Sequence, residues 1–393
     1  MGQESGVKVK ARVTNVLQNP LRADILTVNE EPAYEKFLNE SKFGSIQWSI
    51  DWRNTLCSLG HDRPYFIVAK KNDKIVGALP LYFYKNEFGS LLTTIAWHTT
   101  SGIVCSRNSN RGGIYKTLLE CSVSLAEELD CTVMSVSTNA LWDDREYYLQ
   151  NFGYDYAMEN FIQYICLNEI FDDKGNIVHP NYTKRSNLSR NLKKAKMQPI
   201  TISDEQSRAN VDEYFEIYKK RMKELDATLL PKEFFLSALE NLTLKGKGKF
   251  LFAYYKGKMV AGCLFLSDKR IMDVYTISMD SEYNKLRANF LLTYYMLKWA
   301  HKNGVSILNW MSSPRKGDGV YNWKEQWGSH ERTFLYLTKV LHDISEWKKM
   351  DCRKLAQAYN LHYLLPFNLL KSGKSSFTSK NALASFMQSL AMN

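Results

Sequence analysis

Apolar positions along the chain switch between two spacings, and the switches mark out elements in a repeated order. AYEKFLNES and SIDWRNTLCSL carry apolar residues three or four apart, which predicts two helices. YFIVAKKNDKIVGALPLYFYKN predicts two strands around a polar turn at Lys71–Lys74, and LLTTIAWHTTSGIVCS a third strand ending at Gly102. RGGIYKTLLECSVSLAEEL is helical, CTVMSVST is a short buried strand, and DDREYYLQNFG is a helix stopped by Gly153. FIQYICLN then closes this first block as a strand.

A second block repeats the order. DEYFEIYKKRMKEL and PKEFFLSALENL predict amphipathic helices, the latter opened by Pro231. KFLFAYYKGKMVAGCLFLSDKRIMDVYTISMD predicts three strands, with turns at Lys256–Gly257 and Asp268–Lys269. NKLRANFLLTYYMLKWAHKNG is a long helix, VSILNWMSS a strand, VYNWKEQWG a helix and ERTFLYLT a strand. Both blocks read helix, helix, three strands, helix, strand, helix, strand, and a repeat of that length is architectural. Gly77 and Gly262 fall at nearly the same place in the two copies. The expected class is α/β (α+β), each block a mixed, mostly antiparallel sheet flanked by helices.

Composition narrows the function classes. The chain has 393 residues, 45% hydrophobic and 24% charged, the profile of a folded protein of two domains. It holds no uninterrupted apolar run long enough to span a bilayer, and MGQESGVKVKARVT carries no secretory h-region, so the expected location is cytoplasmic. Cysteines 57, 105, 121, 131, 166, 263 and 352 form no CxxC pair, and His61, His98 and His301 stand apart from other ligand types. Neither HExxH nor GxSxG occurs. No metal and no Ser or Cys nucleophile is expected. The net charge of +11 is concentrated between Lys184 and Lys249 and in a run from Lys371 to Lys380. With no nucleic-acid-binding motif beside it, this charge suits an anionic substrate, a tRNA carrier or an anionic membrane surface.

Gly319-Val320-Tyr321-Asn322-Trp323-Lys324-Glu325-Gln326-Trp327-Gly328 fits the pattern G-x-Y-x-x-K-x-x-W/F-G, which ends the second domain of FemAB-like acyltransferases. Ser45-Ile46-Gln47-Trp48 through Trp52 is similar to the entry segment of that family, and its basic junction is matched by Thr183-Lys184-Arg185-Ser186-Asn187-Leu188 or, in a second register, by Arg190-Asn191-Leu192-Lys193-Lys194-Ala195-Lys196. Across Ser45 to Leu337 the chain therefore resembles that group, which includes peptidoglycan-bridge aminoacyltransferases and related N-acyltransferases. The resemblance implies two tandem GNAT-type domains: an extension at 1–24, GNAT-like domains at 25–172 and 197–340, a basic linker at 173–196 and a helical tail at 341–393. It departs where Ser106 stands in place of the Asp of G-P-x-x-D, and where Asn309-Trp310-Met311-Ser312 replaces D-x-G-R.

The implied activity is transfer of an acyl or aminoacyl group to an amine of a sugar- or peptide-containing cell-envelope precursor. The acceptor would be a small-molecule or lipid-linked amine, with peripheral contact at the inner face of an anionic membrane. Such chemistry needs a neutral amine, a stabilised oxyanion and a protonated leaving group. Lys324 is the candidate for oxyanion charge, Asp273 for accepting the amine proton, and Tyr275 for donating to the leaving atom. Ion pairing of Asp273 with Arg270 or Lys269 is the alternative reading. Arg185 and Arg190 suit a phosphate or carboxylate clamp, and Tyr321, Trp323 and Ser106 complete the substrate-binding candidates. The phosphate-binding Q/R-x-x-G-x-G/A loop is absent: the expected site reads Asn284-Lys285-Leu286-Arg287-Ala288-Asn289. No bound cofactor is expected, and the donor is aminoacyl-tRNA or acyl-CoA, the first favoured. A catalytically degenerate tandem that binds a ligand or partner is the rival function.

Overall fold

The computed structural model describes residues 21–365, apart from 42–43, 61–62, 98–100, 107–108, 184, 226, 228, 269, 314–316 and 360–362. His61, His98, Lys184, Lys269 and the Lys371–Lys380 run thus lie outside the described residues. The first half runs β1 (Arg22–Ile25), α1 (Glu31–Glu40), α2 (Ile50–Cys57), β2 (Arg63–Lys71), β3 (Lys74–Asn86), β4 (Gly89–Thr93), β5 (Val104–Cys105), α3 (Arg111–Glu128), β6 (Val133–Ser137), α4 (Arg145–Asn151) and β7 (Tyr156–Cys166). Short helices α5 (Leu167–Ile170), α6 (Pro180–Thr183) and α7 (Asn187–Lys196) connect it to the second half. There follow β8 (Ile200–Ser203), α8 (Arg208–Glu224), α9 (Lys232–Asn241), β9 (Gly248–Tyr255), β10 (Lys258–Asp268), β11 (Ile271–Met279), α10 (Ala288–Lys302), β12 (Ile307–Ser312), α11 (Gly319–Glu325) and β13 (His330–Val340). Helices α12 (Ser345–Lys349) and α13 (Cys352–Ala358) follow β13.

The repeat is longer than the apolar pattern predicts. Each half opens with a further four-residue strand, β1 on β2 and β8 on β9, both antiparallel. Matching hairpins have matching chemistry. Asn72 and Asp73 join β2 to β3 with φ of 50° and 59°, and Lys256 and Gly257 join β9 to β10 with φ of 52° and 78°. Left-handed backbone at both turn residues matches the twist of the flanking strands. Polar side chains start the helices: Ser49 accepts from Trp52 N–H at 3.1 Å, and Ser207 from Asn210 N–H at 3.3 Å.

The two glycines that look equivalent in sequence face opposite ways. A Cβ on Gly77 would lie 2.4 Å from Ile114 on α3, whereas one on Gly262 would lie 2.4 Å from the Tyr214 ring on α8. Helix α3 corresponds to α10 in the repeat, not to α8, so each glycine admits a different helix to the sheet.

All strands join one sheet, in the order β1-β2-β3-β4-β6-β13-β7-β12-β11-β10-β9-β8, with β5 beside β3. This corrects the assignment of FIQYICLN to the first block's sheet. Strand β7 pairs antiparallel with β12, Cys166 opposite Ile307, and so closes the second half. Strand β13 pairs antiparallel with β6, Tyr336 opposite Ser137, and closes the first. The exchanged strands also pair with each other from Tyr156–Thr338 to Tyr164–His330. Strand order cannot be read from a repeat in sequence, because pairing is decided by burial against distant elements.

One core runs through both halves. Trp52 of α2 lies edge-on to Phe234 of α9 with centroids 6.1 Å apart, and Trp97 stacks on Phe234 at 5.9 Å. Asp51 on α2 receives both Lys245 and Lys247, at 2.7 and 2.8 Å, at the rim of this seam. No helix among the described residues is long and apolar enough to cross a membrane.

Candidate active site

Strands β11 and β12 run parallel and pair only where Ile271–Asp273 meets Ile307–Asn309. Strand β12 then bends. Met311 takes a left-handed φ of 62°, a costly conformation for a non-glycine residue. Three contacts hold the bend. Asn309 Oδ1 accepts from Met311 N–H at 2.9 Å, while Lys324 Nζ donates to the Trp310 and Ser312 carbonyls at 2.9 and 2.8 Å. The carbonyls on either side of the strained residue are thus gripped by one ammonium.

The motif's residue types explain how Lys324 reaches that place. Asp318 caps α11 by accepting from Tyr321 N–H at 2.7 Å. Trp327 is fully buried against Phe290, and Gly328 turns the chain with φ of 85°. Pinned at both ends, α11 drives Lys324 inward. Burial pulls its ammonium down to about 7, partly opposed by the Asp318 carboxylate. Close by, Ser312 Oγ, Trp323 Nε1 and Trp327 Nε1 are buried with no hydrogen-bond partner among the described residues. Unsatisfied buried donors are rare, and three close together single out this bend as a candidate site.

The remaining candidates divide into those near this bend and those away from it. Asp273 is buried on β11, where Oδ1 accepts from Asn309 Nδ2 at 2.7 Å and Oδ2 from Ser45 Oγ at 3.1 Å. These partners, not Arg270, are what the structure sets against its carboxylate. Tyr275, two residues on, packs on Trp52 and Phe234 at 5.5 and 5.8 Å, and burial raises its phenol well above the usual range. The face of β11 that carries both is therefore filled by the seam between the halves. Tyr321 lies edge-on to Phe161, and its carbonyl accepts from Gln163 Nε2 at 3.2 Å. Trp323 packs edge-on to Trp310 at 5.4 Å.

The basic junction docks onto the end of α11, where Asn181 Nδ2 donates to the Gln326 carbonyl and Tyr182 Oη to that of Trp327, both at 3.0 Å. Arg185 and Arg190 follow it and are exposed. Ser106 sits apart, with its N–H on the Val76 carbonyl beside β3.

Much of the basic stretch is neutralised locally. Lys220 meets Asp280 and Glu282, Lys232 meets Asp212, and Lys249 meets Asp204. Arg185, Arg190, Lys193 and Lys194 form no ion pair among the described residues and stay exposed around α7.

Sequence reasoning missed Asn309, Gln163 and Ser312. Asn309 and Ser312 enter the sequence reading only as departures from D-x-G-R, and Gln163 lies on the exchanged strand. It also missed a possible-ligand grouping on the surface: Cys166, Glu169 and His330 place donor atoms within 4.8 Å of one another. His330 and Glu169 are already paired at 2.7 Å, and the exchange of β7 and β13 brings these distant residues together.

The family model of the acetyltransferase (GNAT) domain matches residues 183–325, from the basic junction through α11. No curated protein sequence matches the chain. Among solved structures, FemX superposes with a TM-score of 0.65 at 12% identity, covering 86% of this chain and 99% of that one. A tandem GNAT protein from the clavulanic acid biosynthesis pathway, determined without AcCoA, gives 0.51 at 10% identity over 82% and 100%. The C-terminal domain of a putative lysylphosphatidylglycerol synthetase from Agrobacterium fabrum gives 0.51 at 10% identity over 79% and 91%. Residues 183–325 thus match a GNAT acetyltransferase domain, and the chain shares the doubled fold of FemX and of the tandem GNAT protein.

Proposed function

We propose that the chain transfers an acyl or aminoacyl group onto an amine of a sugar- or peptide-containing cell-envelope precursor, at the bend of β12 beside Lys324. The observation that carries this reading is the buried Lys324 ammonium, poised near neutrality, with the unpartnered Ser312 hydroxyl and Trp323 indole beside it. In the reaction the amine nitrogen bonds to the acyl carbon while the bond to the carrier oxygen or sulfur breaks, and the proton lost by the amine ends on that leaving oxygen or sulfur. Charge builds on the carbonyl oxygen meanwhile. Lys324 offsets that charge, and the Ser312 and Trp323 donors point to the same service. Asp273 acts through Asn309, whose other amide atom holds Met311 N–H, and so positions the bent strand.

Aminoacyl-tRNA is the favoured donor. The unpaired basic surface of Arg185, Arg190, Lys193 and Lys194 on the junction suits a phosphate-rich carrier, and no glycine loop precedes α10. Acyl-CoA remains the alternative, and the same surface suits an acceptor held at an anionic membrane. The buried setting of Lys324 and the filled face at Asp273 and Tyr275 favour a second reading, a binding module without turnover. Incubating the protein with isotopically labelled aminoacyl-tRNA or acetyl-CoA and amine-containing envelope precursors, with mass detection of products, separates the two. Labelled amide formed by the wild type and lost in Lys324→Met supports transfer. No product with either donor supports the binding module.

A further inference from the structure

At the end of β6 in the first half lies a cavity of about 370 Å³, whose rim residue Arg332 is opposite Ile162 of β7, itself opposite Ser312 at the bend of β12. Its floor is buried and its rim open. Asn139 and Asp144 form the floor at 5% and 2% exposure, while Arg145, Arg332 and Thr333 stand at the rim. Arg332 and Thr333 belong to β13, so the exchanged strand of the second half completes a cavity in the first.

The buried polar groups are mostly spoken for, and the buried exception is a donor. Asn139 Oδ1 accepts from Leu141 N–H at 2.9 Å, which leaves its amide nitrogen Nδ2 facing the other way, buried and with no partner among the described residues. Arg332 gives one N–H to the Leu141 carbonyl at 3.0 Å and meets no carboxylate among the described residues, so the rest of its fork is available. Arg145 is committed to Thr333 Oγ1 at 2.9 Å and Glu159 at 3.1 Å, which fixes the rim. We infer that this cavity is a binding site for an anionic oxygen group, a carboxylate or a phosphate, received by Asn139 Nδ2 on the floor and by the Arg332 guanidinium at the rim.

The neighbouring carboxyl is arranged to permit an anion. Asp144 accepts from Tyr115 Oη at 2.8 Å and from Asn139 N–H at 3.1 Å, and burial pushes its carboxyl up to about 8. Burial thus disfavours its charged form, which lessens repulsion of an anion. Asp143 is exposed and is the remaining acidic group lining the cavity. A planar fork above and an amide N–H below suit the geometry of carboxylate or phosphate oxygens.

This inference rests on the cavity and not on the transfer reaction, so binding is read directly. Inorganic phosphate and acetate are titrated separately into the full-length protein at constant ionic strength and followed by NMR, and the anion with the lower Kd names the group. Asn139→Asp keeps the oxygen that Leu141 N–H uses and replaces the free donor with an acceptor. Arg332→Gln removes the charge, and Arg332→Lys keeps it without the fork, covering a failure of the glutamine variant to fold. We expect saturable binding of at least one anion, weakened about tenfold or more by Asn139→Asp and by either Arg332 variant, with melting temperatures near that of the wild type. Saturable binding of neither anion, or binding that survives Asn139→Asp and the Arg332 variants, overturns the proposal.

Discussion

Lys324 Nζ lies 2.9 Å from the Trp310 carbonyl and holds it from a helix fourteen residues further along the chain. The same nitrogen holds Ser312, so the lysine spans the one left-handed residue of β12. A hydrophobic side chain of similar length would fill the space but could hold neither carbonyl.

Lys324→Met is expected to lower the rate of transfer by about a hundredfold or more, as for loss of an oxyanion contact of about 2–4 kcal/mol. Initial rates and circular dichroism check this together. Unchanged turnover by a folded variant would return Lys324 to a structural role.

The same lysine makes stability depend on pH in a calculable direction. Its pKa is about 7 when folded against an ordinary 10.5, so the unfolded chain binds the extra proton between those values. Stability contributed by this group is present above about pH 10.5 and is lost as pH falls through about 7. The gap in melting temperature between Lys324→Met and the wild type should therefore widen in favour of the variant over that window and then level off. A gap independent of pH would contradict the burial-driven shift.

Asp144 works in the opposite sense. Its folded pKa of about 8 lies above the ordinary 3.8, so its contribution is greatest below pH 3.8 and is lost as pH rises through about 8. Asp144→Asn should flatten this fall, which denaturant titrations at intervals from pH 4 to 9 would reveal. An equal slope in both proteins would place the Asp144 proton elsewhere.

Gly262→Ala tests the close approach of α8. The new Cβ meets a buried Tyr214 ring at 2.4 Å, and relief requires moving a residue that also bonds Thr276. A loss of about 1–3 kcal/mol is expected by chemical denaturation. A change within about 0.5 kcal/mol would mean that the helix shifts freely.

The two halves should unfold together. Each sheet is closed by a strand from the other, and one aromatic core runs between them. A fragment ending before β13 leaves the edge of β6 open and should not fold. Two separated transitions in the intact chain, by fluorescence and by hydrogen exchange, would show that the exchange couples them weakly.

Local signals were the legible ones. The helices and hairpins announced themselves through period and turn chemistry, and Lys324 through its place in the α11 motif. Strands β1 and β8 were missed because four residues hold too little alternation to register. The exchange of β7 and β13 was not legible, since both strands have the same pattern whichever β-neighbour they take. The cavity at Asn139 depends on that exchange, and Asp144 reads in sequence only as part of the DDREYYLQNFG helix. Asp273 was found for its polarity among apolar neighbours, but its partners Ser45 and Asn309 come from other elements.

The crossing of β7 and β13 also sets a schedule for the protein's making. During synthesis the first half emerges with β6 exposed along one edge and β7 with no sheet to join, because β12 and β13 have yet to leave the ribosome. Unpaired strands of this kind seek partners, including those of neighbouring chains. The nascent first half therefore needs shielding until His330–Val340 arrives, and slowing translation between Cys166 and His330 should raise the aggregated fraction of product even though the finished sequence is unchanged.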